Sequence, residues 1–473
     1  MPENPRDPRR WRALTVCLIA GFMTLLDVSI VNVALPSIRT GLHATASDLQ
    51  WILSGYALTF GLVLVPSGRL GDARGRRMMF MIGLALFTAT SAAAGLSPGA
   101  GYLVAARLLQ GVAGGVLNPQ IAGLIQQLFR GAERGTAFGL LGATIGISTA
   151  VGPLLGGAII NAAGASEGWR WIFYVNVPVG LAALPLAHRL IPPTERQPQH
   201  GRNLDPVGVG LLGLGVVLLL LPLVEEQTWH GTAKWALLPV AALVLGGFVV
   251  WEHRYRRRGN QPVADLELFR VRSYGLGCAL ALVYFAGFTS VFFTYTLYVQ
   301  QGLHYSALMA GAAVTPFALG SAVSAAVGGR TVDRYGRPLV ALGLVLVVVG
   351  IAATWVAVEA VPGHAVGLAT AAPLLVAGIG SGLVISPNQT LTLAKVPVHG
   401  GGSAAGVLQT GQRVGTAIGI AAVGSVFFST VASTHGHWAS AFRDGLLVVL
   451  ALLVVSLGIA VADLLAPHRR LAP

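Results

Sequence analysis

The sequence predicts an all-helical integral membrane protein: two similar six-helix bundles with two further helices inserted between them. Three observations carry that expectation. Of 473 residues 54% are hydrophobic and only 10% charged, with a mean hydropathy of +0.70, too little charge to cover a soluble surface of this size. The apolar residues gather into fourteen stretches, each long enough to supply the about 20 helical residues that cross a roughly 30 Å hydrocarbon layer. A polar motif also recurs in the same frame 261 residues apart, which is the mark of an internal repeat.

The expected spans are 12–36, 49–68, 78–97, 101–129, 134–162, 170–190, 206–224, 235–251, 273–300, 306–328, 339–358, 365–391, 403–430 and 444–465. The tail before the first span carries Arg6, Arg9, Arg10 and Arg12. No small-residue cleavage site comes early enough to make it a secretory signal, so the first span is read as retained. The 62 glycines suit helices that pack closely in lipid. Cys17 and Cys278 each sit inside an apolar stretch and imply neither a disulfide framework nor a metal site.

The net charge of +13 raises the question of nucleic acid, but the basic residues fall between spans and not along one stripe. With the N-terminus inside, 25 of the 31 Lys and Arg residues lie in cytoplasmic tails and loops. External loops hold Arg39, Arg170, Lys234 and Arg443, and Arg107 and Arg413 lie within spans. That bias places both termini in the cytoplasm.

The repeat sets the domain boundaries. Gly68-Arg69-Leu70-Gly71-Asp72-Ala73-Arg74-Gly75-Arg76 follows the second span, and Gly329-Arg330-Thr331-Val332-Asp333-Arg334-Tyr335-Gly336-Arg337 follows the tenth. Leu117-Asn118-Pro119-Gln120 is echoed by Ser386-Pro387-Asn388-Gln389. The chain therefore divides into an N-terminal bundle (1–190), a linker with two extra helices (191–271) and a C-terminal bundle (272–473). Within the middle part, 191–205 has three prolines with Glu195, Arg196 and His200 and reads as a cytoplasmic linker. Inverted and parallel repeats of this kind are typical of secondary transporters, with a substrate site between the halves near mid-membrane.

An ionisable residue inside a span is expensive and by default functional. Asp27 lies roughly 22 Å from the inner boundary of the first span by helical rise. Arg107, in the fourth span, reaches about the same depth, and Gln110, one turn on, is a candidate for lining the substrate cavity. A carboxylate and a guanidinium at one depth form either a switchable proton-coupling pair or a permanent structural one. Arg413 is buried in the thirteenth span and needs a partner or an anionic ligand. Tyr284, Phe288, Phe292 and Tyr295 share one face of the ninth span, where they either line a cavity and hold a flat or cationic ligand or pack against core and lipid. Asn32, Asn118, Asn388 and Gln389 are intramembrane polar residues for which helix–helix hydrogen bonding competes with a cavity role. Gly146, Gly152, Pro153, Gly156 and Gly157 make the fifth span either a close packing face or a hinge. The Arg-rich motifs, with Gly68, Arg69, Asp72, Arg74, Gly75 and Arg76 in one copy and Arg330, Asp333, Arg334 and Arg337 in the other, suggest a salt-bridged cytoplasmic latch beyond mere topology signals. No Walker A loop, metal triad or nucleophile elbow is present, so an enzyme is not expected. Energy is expected from an ion gradient or from the substrate's own gradient.

At these residues the chain resembles the major facilitator superfamily, in particular its fourteen-helix drug:proton antiporter branch. The likeness covers the whole length. It rests on Leu26-Asp27 with Asn32-Val33-Ala34-Leu35-Pro36, on Trp169-Arg170-Trp171-Ile172-Phe173-Tyr174-Val175-Asn176-Val177-Pro178, on the Gly68–Arg77 loop, on Arg107-Leu108-Leu109-Gln110-Gly111 and on Gly152-Pro153 with Gly156-Gly157. The resemblance implies alternating access in the bacterial plasma membrane and proton-driven export, with no cofactor beyond the proton gradient. It also implies Asp27 and Arg107 near the coupling step, and a bend at Gly152-Pro153. Expected partners are a small amphipathic substrate, protons and the bilayer, the chain acting as a monomer. Two departures stand out: Ala73 follows Asp72 where the family has Arg, and the tenth span lacks the carboxylate that exporters of dicationic drugs carry. The competing expectations are dedicated export of one endogenous metabolite, lipid or siderophore, and a non-transporting sensor or scaffold.

Overall fold

A computed structural model of the chain describes residues 9–164, 166–193, 205–224, 229, 231–260 and 262–465. Most of the expected linker, 194–204, and Arg6 lie outside the described residues. Among the described residues, 14 helices are long and apolar enough to cross a membrane. The first six are Arg10–Leu42, Ala46–Arg74, Arg76–Gly95, Ala100–Leu128, Gly131–Ala163 and a helix in two pieces, Gly168–Tyr174 and Asn176–Leu190. Pro206–Val224 and Leu237–Arg257 are the seventh and eighth. The last six are Arg272–Leu297, Ala307–Tyr335, Arg337–Ala360, Ala371–Leu393, Gly401–Ser433 and Trp438–Leu465. The start of the first helix, the end of the last, the helix ends at Leu190 and Pro206 and the Arg-rich motifs fall at one end of the bundle, called the basic end below.

The helices run longer than hydropathy alone suggests, because a helix keeps its backbone bonded beyond the apolar layer. The first reaches Leu42, so Asp27 stands at the helix midpoint and not in its outer half. The two Arg-rich motifs are not loops. The second helix runs on to Arg74 and the third starts at Arg76, with Gly75 alone turning the corner at φ 108°. Gly336 does the same between the tenth and eleventh helices at φ 58°. Only glycine adopts such angles without a Cβ clash, which explains why both copies of the motif hold glycine there.

Two seams join the halves. In the first, the fifth and tenth helices lie antiparallel along most of their length. A methyl group on Gly139 would sit 2.9 Å from the Ala325 carbonyl oxygen and the Gly329 Cα, and one on Gly146 2.9 Å from the Ala322 nitrogen. Farther along, Pro153 packs on Gly311. In the second, the second and thirteenth helices meet towards the basic end, where a methyl group on Gly406 would sit 2.7 Å from the Leu64 carbonyl oxygen. The seventh helix lays Val216 and Leu220 over this second seam, against Leu58, Val414 and Ala417. The extra helices thus cover one side of the bundle. At the opposite end, Arg170 donates to the carbonyls of Gly95 (2.9 Å) and Ser97 (2.7 Å), satisfying orphan acceptors at the end of the third helix.

The glycine seam makes a direct prediction. Gly139→Leu should destabilise the protein by about 3 kcal/mol or more through overpacking. Gly246→Leu, in the eighth helix with nothing within 4 Å, should leave the melting temperature in detergent unchanged. Equal melting temperatures for the two variants would show that the seam is not tight.

Candidate functional site

Asp27 is 0% and Arg107 1% exposed, and they form an ion pair at 2.5 Å between Oδ2 and Nη1. The remaining valences are filled by dipoles. Gln110 Nε2 donates to Asp27 Oδ1 at 3.0 Å, and Asn176 Nδ2 donates to the same oxygen at 3.2 Å. Arg107 also donates to Gln110 Oε1 (2.8 Å) and, through Nε, to the Ile52 carbonyl (3.1 Å). Ser91 Oγ accepts from Gln110 (3.3 Å) and Asn176 (3.1 Å) and donates to the Phe173 carbonyl (2.9 Å). The Tyr56 ring lies 4.1 Å from the guanidinium carbon, within cation–π range. Five of the six N-terminal helices therefore converge on one carboxylate. Such saturation is what a buried ion pair requires, since desolvation otherwise exceeds the Coulombic gain.

Sequence reasoning brought Asp27, Arg107 and Gln110 to one depth, and they do meet. Gln110 was expected in a substrate cavity, but it is fully buried as a partner of Asp27. Asn176, Ser91 and Tyr56 were not singled out as site residues. Asn176 had a signal, because it stands in the sixth-span signature. Ser91 had none. A serine in an apolar helix ordinarily bonds its own preceding turn, and only tertiary packing redirects this one.

Among the described residues, only the first copy of the repeated motif bonds across the two halves through its aspartate. Asp72 accepts from Arg76 Nη2 (2.8 Å), from the backbone nitrogens of Gly402 (3.0 Å) and Ser403 (2.8 Å), and from Ser403 Oγ (2.7 Å). It thus binds the exposed donors at the start of the thirteenth helix, where the helix dipole favours an anion. Arg76 donates in turn to the carbonyls of Gly123 (2.6 Å) and, across the halves, Val398. Gly68 is required here: a Cβ would meet the Gly402 carbonyl carbon at 2.6 Å. Arg74, expected as part of the latch, is exposed. The second copy departs further. Asp333, Arg330 and Arg334 are exposed, and among the described residues Asp333 forms no ion pair. Arg337 instead joins Asp463 (2.7 Å), Asn388 Oδ1 (2.9 Å) and the Ser273 carbonyl (2.8 Å) inside the C-terminal half. Asn388 is thereby a helix–helix bonding residue, completed by its donation to the Gly277 carbonyl (3.0 Å).

The other candidates divide by packing. Asn118 donates to the Gly114 carbonyl and to Thr24, while Gln389 is buried and Asn32 exposed. Tyr284 and Tyr295 are buried in the C-terminal core, Tyr295 bonded to Thr370 (2.8 Å). Phe288 and Phe292 keep some exposure and pack on Phe317. Gly146, Gly152 and Gly156 are packing positions, the last two against Ser29 and Ile30 of the first helix, and Gly157 has no neighbour within 4 Å. The fifth helix is continuous through Pro153. Arg413 lies over the Phe60 ring at 4.4 Å. Among the described residues it has no carboxylate or hydrogen-bond partner. A cation–π contact is worth about 0.5–2 kcal/mol, whereas an arginine at a span centre costs about 2.5–3.5 kcal/mol. The ring alone does not offset the charge.

A bundle of repeated six-helix halves around a buried charge pair defines a class of membrane transporter, and comparison with known proteins agrees. The model of the Major Facilitator Superfamily matches residues 17–420. The chain belongs to that family. It is 37% identical to the "Probable actinorhodin transporter" of Streptomyces coelicolor, over 91% of this chain and 74% of that protein. It is 35% identical to the "Puromycin resistance protein pur8" of Streptomyces alboniger, over 93% of this chain and 86% of that one. Among solved structures, the human organic anion transporter MFSD10 superposes with a TM-score of 0.69 at 16% identity, covering 96% of this chain and all of that one. At that identity the likeness concerns the fold alone.

Removing one partner of the buried pair should be far worse than removing both charges. Arg107→Ala should cost about 3–5 kcal/mol, and Asp27→Asn combined with Arg107→Gln should recover most of that. Denaturant unfolding of the purified variants in detergent measures both, and simple additivity would show that the two charges do not interact. At the latch, Asp72→Ala should speed amide exchange at Gly402 and Ser403 by about tenfold or more, the worth of one charged hydrogen bond. Asp333→Ala should leave those amides unchanged in hydrogen-exchange mass spectrometry.

Proposed function

We propose that this protein is a proton-coupled exporter of an antibiotic or similar small amphipathic compound. The reading rests foremost on Asp27: a carboxylate enclosed at mid-membrane, matched by one guanidinium and two amides. Protonation removes its attraction for Arg107, and loss of the proton restores it. That makes the pair a two-state element whose equilibrium is biased by protons on either side of the membrane. With the basic end facing the cytoplasm, as the Lys and Arg distribution argues, the Asp72 latch closes the cytoplasmic side. Water from outside then loads the proton on an outward-open form, and breaking the latch releases it inside while substrate enters.

The names of the relatives favour antibiotic export, and the tenth helix carries no carboxylate before Asp333 at its basic end, which disfavours dicationic drugs. A sensor or scaffold would not need charges so costly to bury.

The test uses inverted membrane vesicles energised to acidify the lumen, with puromycin and aromatic polyketides added as candidate substrates. A transported compound should accumulate and dissipate the proton gradient with wild-type protein. Asp27→Asn, which imitates the protonated state, should fold and abolish both effects. Accumulation at the wild-type rate in that variant would make Asp27 structural. Failure of every compound to move, or to discharge the gradient, counts against proton-coupled export.

A further inference from the structure

Near the second seam, among the described residues, hydroxyl donors and a positive charge are left without acceptors. Arg413 keeps part of its surface accessible near the middle of the bundle. It reaches across the second seam, from the thirteenth helix of one half onto Phe60 at the midpoint of the second helix of the other. Tyr56, one turn from Phe60, is 3% exposed, and its hydroxyl has no hydrogen-bond partner although it lies within the electrostatic field of Arg413. Thr410, one turn before Arg413 on the same helix face, also has a buried hydroxyl without a partner.

The charge balance of the interior points the same way. At mid-membrane, among the described residues, the carboxylate of Asp27 is consumed by Arg107. Arg413 is therefore an uncompensated positive charge. A buried cation persists when something neutralises it part of the time, and an ionised group with satisfied geometry is the strong acceptor for a guanidinium fork.

We infer that Arg413, with the Tyr56 and Thr410 hydroxyls, forms an anion-binding subsite on the translocation path, and that the exported compound carries a carboxylate or comparably acidic group. This rests on the export reading above and adds the substrate's charge. It also supplies a contact between the two functions of the site. The Tyr56 ring packs on Arg107, and its hydroxyl is the group through which an anion at Arg413 would be sensed by the proton-binding pair.

The test uses three fluorescent probes with one ring system and different charge: anthracene-2-carboxylate, its methyl ester, and anthracen-2-ylmethylammonium. Binding is titrated to the purified full chain in lipid nanodiscs. The wild type should bind the carboxylate about tenfold or more tightly than the ester or the ammonium, the worth of one charge-assisted hydrogen bond. Arg413→Gln should lose that preference while keeping ester affinity, Arg413→Lys should keep part of it, and Tyr56→Phe should weaken carboxylate binding severalfold. Ester binding and a monodisperse elution profile report folding. If Arg413→Gln does not fold, Arg413→Lys and Tyr56→Phe decide. Equal affinity for the three probes in the wild type, or a carboxylate preference untouched by the variants that fold, overturns the inference. Uptake into inverted vesicles separates this from the export reading. Gradient-driven uptake of the ester with no carboxylate preference leaves export standing without the anion subsite. An Arg413-dependent carboxylate preference without gradient-driven uptake leaves the subsite and removes proton-coupled export.

Discussion

A carboxylate held in a medium of low dielectric has to be matched where it stands, and the N-terminal half is organised around doing so for Asp27. Both of its oxygens are engaged, one by Arg107 and the other by the amides of Gln110 and Asn176. Those groups come from the fourth and sixth helices, and Ser91 of the third orients both amides. Asn176 reaches the carboxylate from a sixth helix that stays helical in backbone angle through Val175, at φ −57° and ψ −29°. An ion pair so completely satisfied is stable while both charges exist and unstable when one is lost. Stability and responsiveness to protonation are thus the same property seen from two sides.

The two seams between the halves differ in kind. The fifth and tenth helices meet through backbone and small residues, with no charge involved at the closest points. Contacts of that sort are dry, depend on dispersion and allow small sliding without breaking a bond. The second and thirteenth helices are joined at the basic end by Asp72 and Arg76, whose bonds cross from one half to the other. Water can replace each of those bonds once the ends separate. One seam is thus made of close apolar packing and the other of polar bonds at its basic end.

The internal repeat shows how far duplicated sequence can diverge in use. Arg76 and Arg337 occupy equivalent motif positions, and each reaches the fourth helix of its own half, at Gly123 and Asn388 respectively. Their carboxylate partners differ. Asp72 is enclosed by Arg76 and the start of the thirteenth helix, while Asp333 is left exposed and Arg337 pairs with Asp463 of the last helix. The helix start that Asp72 binds belongs to the C-terminal half, and Asp333 binds no helix start in return among the described residues.

Length, hydropathy and the repeat were sufficient to read the number of spans, the helical class and the doubled architecture, because a lipid environment leaves a chain few alternatives to helices. The intramembrane charges Asp27, Arg107 and Arg413 were equally legible, since a charge stands out in an apolar stretch whatever its surroundings. The corner at Gly75 was not, because helix propagation past the apolar boundary depends on backbone bonding that hydropathy does not record. Nor were the partners. Asn176 and Ser91 look like ordinary polar residues until third, fourth and sixth helices are brought together, and Asp333 looks like Asp72 until its neighbours are known. Periodicity and composition act along the chain, so they declare what each helix is. Which side chains share a carboxylate, and which arginine is left without one, depends on distances across helices, and those are set only when the bundle packs.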